Sequence, residues 1–390
     1  MNIPNDPFIG THYIGKEELR AAKQVLKAKS LFRYHGPKLL HKTNQLEQEL
    51  AKFLGVEYVL AVSNGAAAIK LACIGNGIGP GDEVLMSPFT FIASAASVLA
   101  TGAVPVFCDI DKTMNIDPNK IESKITKKTR AILAIHMQGH PCDMIKIMKI
   151  AKKHNLIVLE DTAQAFGAKI GNKYAGTFGT GAFSLQAGKT ITCGEGGFLV
   201  TNDKKVYIKA KMYHDNGGYR IGDDYPTWTN GCTSYGENFK LTELQAAIAL
   251  EQLKKIEKIL KKQKQMYDYL VRHLNKKYYL RPILKEHVPV NVSIGVIFNT
   301  KAECEQFIEY MHDSGIWFNK YCSNMINDFD VFKRKKSLHK SDFPFNITEY
   351  RDEPCPVAKN LFQRVAWFNL SASLQKKHLK YIVKKMNDYV

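Results

Sequence analysis

From about residue 45 the chain alternates short apolar runs with amphipathic stretches. The runs Tyr58–Val62, Glu83–Ser87, Val104–Asp109, Ala131–His136, Ile157–Glu160, Gly181–Leu185 and Gly197–Thr201 are nearly continuous in apolar residues. That is the pattern of strands buried on both faces of a parallel sheet. Between them, apolar positions recur at helical spacing in Ala66–Cys73, Phe91–Ala100, Asp143–His154 and Leu241–Leu260. Strand and helix in alternation predict an α/β fold, a large, mostly parallel sheet flanked by helices.

Beyond Leu260 a lysine-rich amphipathic helix runs on to about Leu274, and a smaller α/β unit follows. Its predicted parts are a strand at Val292–Phe298, a helix at Lys301–Ser314, a strand at Ile316–Tyr321 and a last helix at Leu374–Tyr389. The boundary falls near residue 265, dividing a large domain with an N-terminal arm (1–265) from a smaller C-terminal α/β domain (266–390).

Composition adds one oddity to this picture. The 390 residues are 45% hydrophobic and 24% charged, as in ordinary globular proteins, but carry a net charge of +18. The excess is spread over both halves, and only nine of the 55 cations are arginine, the better reader of phosphates and bases. The densest run, Lys333-Arg334-Lys335-Lys336, reads as an exposed loop rather than a nucleic-acid patch. Eight cysteines never approach the two-residue spacing of zinc or redox motifs, so they read as structural thiols. With neither a signal peptide nor an apolar run of about 18 residues, the expected location is cytoplasmic, away from membranes.

Three stretches hold residue types suited to chemistry. Ser63-Asn64-Gly65-Ala66-Ala67 ends a strand and opens a helix, where backbone N–H groups and the helix dipole favour a phosphate. Small residues there equally serve tight packing. In Leu156–Gly167 a buried strand runs into Glu160-Asp161; an acid at the carboxyl end of such a strand faces a ligand crevice. Asp161 could hold a pyridine nitrogen protonated, as pyridoxal phosphate requires, or simply cap the next segment. In Gly181–Gly197 a strand delivers Ser184 and then Lys189 into a glycine-rich turn. A lysine held among Phe, Ala, Gly and Thr is partly desolvated, which favours Schiff-base chemistry, though a structural lysine would fit the same turn.

In this order on an α/β domain, the three signals resemble the sugar aminotransferase family of fold-type I pyridoxal-phosphate enzymes, over essentially the whole chain. Further landmarks are Gly36-Pro37, Gly79-Pro80-Gly81-Asp82-Glu83-Val84, Pro88-Phe89-Thr90-Phe91, Gln164, Gly194-Glu195-Gly196-Gly197 and Leu241-Thr242-Glu243-Leu244-Gln245-Ala246-Ala247. The resemblance implies that Lys189 binds the cofactor aldehyde and shuttles the proton during transfer, and that Asp161 pairs with the ring nitrogen. It places Gln164 near the phenolic oxygen, Phe91 on the ring face, and Gly65, Ala66, Ala67 and Ser184 at the cofactor phosphate. Asn238 matches a residue supplied by a neighbouring subunit, so the family implies a homodimer with shared active sites.

Two positions depart from the family. Ala66 stands where a threonine is usual, removing one hydroxyl contact to the phosphate. Lys240 replaces a frequent arginine, keeping the charge but not its bidentate geometry. His136-Met137-Gln138-Gly139-His140 has histidines four apart, yet with no third ligand at sensible spacing it reads as a loop lining the pocket; no metal is expected. Tyr213–Tyr219 reads as a mobile segment near the substrate.

The expected reaction is transfer of an amino group from glutamate or glutamine to an oxo group of a modified sugar. Phe32-Arg33-Tyr34, the Lys189–Gly197 turn and Tyr213-His214-Asp215 look most like the 8-amino-3,8-dideoxy-manno-octulosonate transaminases, which act on an 8-oxo-octulosonate in cell-surface polysaccharide synthesis, or like members acting on cyclitol ketones. The alternative substrate is a nucleotide-linked 4-keto or 3-keto-6-deoxy sugar. Sugar dehydration on the same fold needs a histidine in place of Lys189, and a silent cofactor-binding protein would not need Lys189, Asp161 and Gln164 together.

Overall fold

The computed structural model describes residues 3–222, 226–321, 324–338 and 340–389. Its centre is a seven-stranded sheet: β1 (Tyr58–Val62), β2 (Glu83–Met86), β3 (Val104–Phe107), β4 (Thr129–Ile135), β5 (Ile157–Asp161), β6 (Thr180–Ser184) and β7 (Gly197–Thr201). The strand order is β1-β7-β6-β5-β4-β2-β3. Six strands run one way and β7 runs antiparallel to both its neighbours. Every strand predicted in this sheet is present to within two residues at each end, because continuous apolar runs bounded by Gly, Pro and Asp leave little freedom in register.

Helices cover both faces. Before the sheet come α1 (Lys16–Ala28) and α2 (Lys42–Leu54), and within it α3 (Gly65–Gly75), α4 (Ile92–Leu99), α5 (Met144–Lys153) and α6 (Lys204–Tyr213). The single helix expected at Leu241–Leu260 is two: α7 (Glu243–Leu253) and α8 (Ile256–His273). The break at Lys254-Lys255 lets each bury a different stripe. The first packs Ala246, Ala249 and Leu250 inward, the second Ile259, Met266 and Leu270. Lys255 turns its ammonium onto Glu18 at 2.6 Å and onto the Tyr13 carbonyl.

The C-terminal sheet also corrects one expectation. Its strands are β8 (Tyr279–Leu280), β9 (Ser293–Ile297) and β10 (Val365–Asn369), all antiparallel. The stretch predicted as a strand at Ile316–Tyr321 contributes only a bridge from Asn319 to Trp367, because the Val365–Asn369 run takes the place beside β9. Helices α9 (Lys301–Asp313), α10 (Pro356–Gln363) and α11 (Lys376–Asp388) complete this region. Residue 265 lies within α8. Among the described residues no helix is long and apolar enough to cross a membrane.

The basic run is neutralised locally. Lys333 bonds Asp352, Arg334 pairs with Asp330 at 3.2 Å, and Lys336 with Asp342 at 2.7 Å.

Alternation along β5 sends Glu160 and Asp161 to opposite faces of the sheet. Glu160 is fully buried and accepts four hydrogen bonds: from the N–H groups of Gly176, Phe178 and Gly179 and from His136 Nε2. A buried carboxylate is tolerated only when so bonded. Glu160→Gln places an NH2 group against donors, and it should lower the thermal unfolding midpoint by several degrees, about 3 kcal/mol of lost stabilisation. An unchanged midpoint in differential scanning calorimetry would show that these bonds do not hold the sheet end in place.

Candidate active site

The carboxyl ends of β4, β5 and β6 open into a cleft of about 780 Å³. Seven of the nine residues singled out in the sequence line it: Gly65, Ala66, Phe91, Asp161, Gln164, Ser184 and Lys189. Ala67 and Asn238 do not.

Helix α3 starts at the cleft with Asn64 as its N-cap, whose Oδ1 accepts the Ala67 N–H at 2.8 Å. Ala67 is thereby engaged inside the helix start, which leaves the first-turn amides of Gly65 and Ala66 as the ones lining the cleft. Gly65 has a steric reason as well. A Cβ there would stand 2.9 Å from Ser184 Cβ, so glycine lets the helix start close against the end of β6 and its hydroxyl.

Asp161 ends β5 with its carboxylate held on two sides, by Ala163 N–H at 3.0 Å and by the Ser94 hydroxyl at 2.7 Å. Phe91, at the N-cap of α4, lines the cleft with its ring 63% exposed. Gln164 accepts the Gln138 backbone N–H at 2.9 Å through Oε1, which orients its amide.

Lys189 stands in the turn between β6 and β7, closed by bonds from Lys189 N–H to the Gln186 carbonyl and from Ala187 N–H to the Gly194 carbonyl, both 2.9 Å. Burial lowers its pKa below the ordinary lysine value, against the opposing pull of Asp161 and Glu195. A larger neutral fraction makes the amine a better nucleophile toward an aldehyde.

Two contributors were not foreseen. One is the N-terminal segment, whose Pro7 and Phe8 line the cleft. Gly10 N–H bonds the Lys189 carbonyl at 2.9 Å and the Thr11 hydroxyl bonds that of Ala187 at 3.0 Å. The lysine turn therefore leans on the N-terminal segment, as far away in sequence as Gly10 is from Lys189. The only signal was Gly10 itself, where a Cβ would come within 2.9 Å of Ile191 Cα. The other is how the pocket loop is held: Gln138 is left-handed at φ 54° and ψ 34°, and its Oε1 accepts from Ser293 at 2.8 Å. Its loop lines the cleft through His136, Met137 and Gln138, as expected.

His136 takes the Cys142 N–H on Nδ1 at 3.0 Å and gives its Nε2 proton to Glu160. Among the described residues no three His, Cys, Asp or Glu side chains cluster to hold a metal.

Tyr213–Tyr219 is pinned rather than loose. His214 and Asp215 are buried, and Asp215 accepts Arg220 Nε and Lys240 Nζ at 2.5 Å each and Trp228 Nε1 at 3.2 Å. Burial alone would raise Asp215, but these donors hold it at about 2. Lys240 thus faces a carboxylate that already has a guanidinium from Arg220.

The pieces fit pyridoxal phosphate: first-turn amides beside a hydroxyl, a carboxylate with an open side, a low-pKa lysine and an exposed aromatic around one cleft. Comparison with known proteins agrees. Residues 12–387 match the model of the DegT/DnrJ/EryC1/StrS aminotransferase family. The chain is 33% identical to GDP-perosamine synthase of Escherichia coli O157:H7 over 347 residues, 88% of this chain and 89% of that one. Among solved structures, the aminotransferase from Psychrobacter cryohalolentis is 30% identical with a TM-score of 0.84, covering 98% of both chains. Helicobacter pylori PseC, an aminotransferase involved in the biosynthesis of pseudoaminic acid, is 25% identical with a TM-score of 0.83, covering 99% of this chain and 98% of that one. The chain belongs to the DegT/DnrJ/EryC1/StrS aminotransferase family. It is a fold-type I, pyridoxal-phosphate-dependent sugar aminotransferase.

Because Glu195 raises the Lys189 pKa, Glu195→Gln should lower it further. The pH midpoint for capture of pyridoxal phosphate by the apoprotein should then move down by roughly a few tenths of a unit. Stopped-flow absorbance checks this, and an upward shift would contradict the placement of Glu195 beside the amine.

Proposed function

We propose that the cleft transfers an amino group from glutamate or glutamine to the keto carbon of a nucleotide-linked 6-deoxy sugar. The observation that carries the chemistry is the convergence of Lys189, Asp161, Gln164 and the start of α3 on one cleft. The substrate class is supported by similarity to GDP-perosamine synthase along nearly the whole chain.

Bound pyridoxal phosphate supplies an aldehyde for amines and a ring that accepts the electron pair released at the substrate carbon. The chain's residues divide the remaining work. Gly65 and Ala66 N–H groups and the Ser184 hydroxyl hold the phosphate, with no hydroxyl at Ala66 to assist. Asp161 keeps the ring nitrogen protonated, Gln164 donates from Nε2 to the phenolic oxygen, and Phe91 covers one ring face. With the cofactor bound, the Lys189 amine would serve as the base that moves the proton at the substrate carbon, a role its lowered pKa suits. Asn238 sits beside Asp215, off its own cleft, where it can serve the site of a second copy in a homodimer.

An 8-oxo-octulosonate is the competing substrate. The arginine of Phe32-Arg33-Tyr34, on which part of that likeness rests, is engaged within the fold and does not line the cleft. Arg33 is 4% exposed, with its guanidinium bonded to Glu47 and Asn44.

Protein loaded with the amine form of the cofactor should recover its visible absorbance on adding a nucleotide-linked 4-keto-6-deoxy sugar. Recovery should be at least about tenfold slower with 8-oxo-octulosonate, the size of one lost specific contact. The reverse preference would overturn the substrate assignment and leave the chemistry intact.

A further inference from the structure

Behind Asp161 lies a pair of buried hydroxyls that no step above uses. Ser94, in the first turn of α4, is 1% exposed and Thr90 is 4% exposed. Ser94 Oγ stands 2.7 Å from Asp161 Oδ2, and Thr90 Oγ1 stands 2.7 Å from Ser94 Oγ. Proton arithmetic gives the pair a direction. An ionised carboxylate can only accept, so Ser94 must direct its single proton to Asp161. Its lone pair is then open to the proton of Thr90. The chain runs from Thr90 to Ser94 to Asp161, and each bond polarises the next.

Glu195, Lys320 and Tyr321 share the cleft with Asp161, and two ionisable groups stand on elements packed directly beside it. Lys189 faces it from the turn after β6. His136, at the end of β4, donates its backbone N–H to the Asp161 carbonyl, while its ring is held by Glu160 and Cys142. Helix α4, Ile92–Leu99, contains no ionisable side chain. The hydroxyl pair is therefore the contact through which α4 acts on this carboxylate.

We propose that Ser94, backed by Thr90, is a positioning residue that sets how strongly Asp161 holds the proton of the cofactor's ring nitrogen. The proposal rests on the reading of Asp161 as the partner of that nitrogen. A hydrogen bond to an ionised carboxylate draws part of its charge toward the donor. With Ser94 in place Asp161 is a moderated partner, strong enough to keep the ring protonated and held at one rotation. Without the hydroxyl the carboxylate carries more charge toward the ring. The ring's positive charge is then better compensated, and protonation at the Lys189 end costs less.

The sign follows. In the Ser94→Ala holoenzyme, the pH midpoint of the cofactor's visible absorbance change should rise by about half a unit. The kcat should fall several-fold with little change in KM, because the loss acts on the chemical step. Ser94→Thr should return the midpoint to the wild-type value, and Thr90→Val should raise it by a smaller amount. A midpoint unmoved in Ser94→Ala overturns the proposal even where kcat has dropped, since packing damage alone would do that. So does a shift that Ser94→Thr fails to reverse. If Ser94→Ala does not fold or retain cofactor, Thr90→Val decides: a rise supports the relay, and no change overturns it. Failure of the underlying reading looks different, because Asp161→Asn would then leave the wild-type midpoint where it is.

Discussion

The Glu160 carboxylate, fully buried at the end of β5, is the constraint on which the site depends. Its four bonds tie the loop at Gly176–Gly179 and the ring of His136 to the last turn of the strand. Because side chains alternate, the same anchoring that fixes Glu160 on one face fixes Asp161 on the other. Asp161 gains its orientation from a neighbour that does not line the cleft. His136 then extends the tie to the loop whose Gln138 N–H aims Gln164. Two of the cleft-lining side chains are thus set from one buried charge.

The second support comes from outside the large sheet. Arg281, 2% exposed, bonds the carbonyls of Thr113 and Met137 and the side chain of Asn115, without a carboxylate among these partners. Burial brings its pKa down to about 9. Asn5 links the N-terminal segment to Asn369 and to the Trp317 carbonyl, and Asp6 accepts the Ser371 hydroxyl. The same segment goes on to clasp the Lys189 turn. The cleft is therefore braced between the large sheet and the C-terminal strands, with Ser293 reaching Gln138 across the same junction.

What the sequence made legible was whatever a short window contains. Strands β1 to β7 announce themselves as apolar runs, and Asp161 and Lys189 stand at strand ends where an α/β sheet places its ligands. What it hid depends on contacts between distant segments. The Gly10 to Lys189 bond spans most of the large sheet, and the break at Lys254-Lys255 follows from which stripe meets α1 and α2. The loop of Gln138 reads as pocket-lining, but the left-handed backbone that aims its N–H at Gln164 is not written in its residue types. Tyr213–Tyr219 looked loose from its glycines, while burial of Asp215 by three donors could not be seen in one dimension. The net charge misleads in the same way: the Lys333–Lys336 run is largely neutralised by acids nearby in the fold.

The central claim is that this architecture singles out Lys189 from 45 other lysines. Borohydride reduction of the protein loaded with pyridoxal phosphate, followed by peptide mass mapping, reads it directly. The account predicts one reduced pyridoxyl group per chain, on the peptide containing Lys189. Attachment at another lysine, or scattered over several, would contradict it.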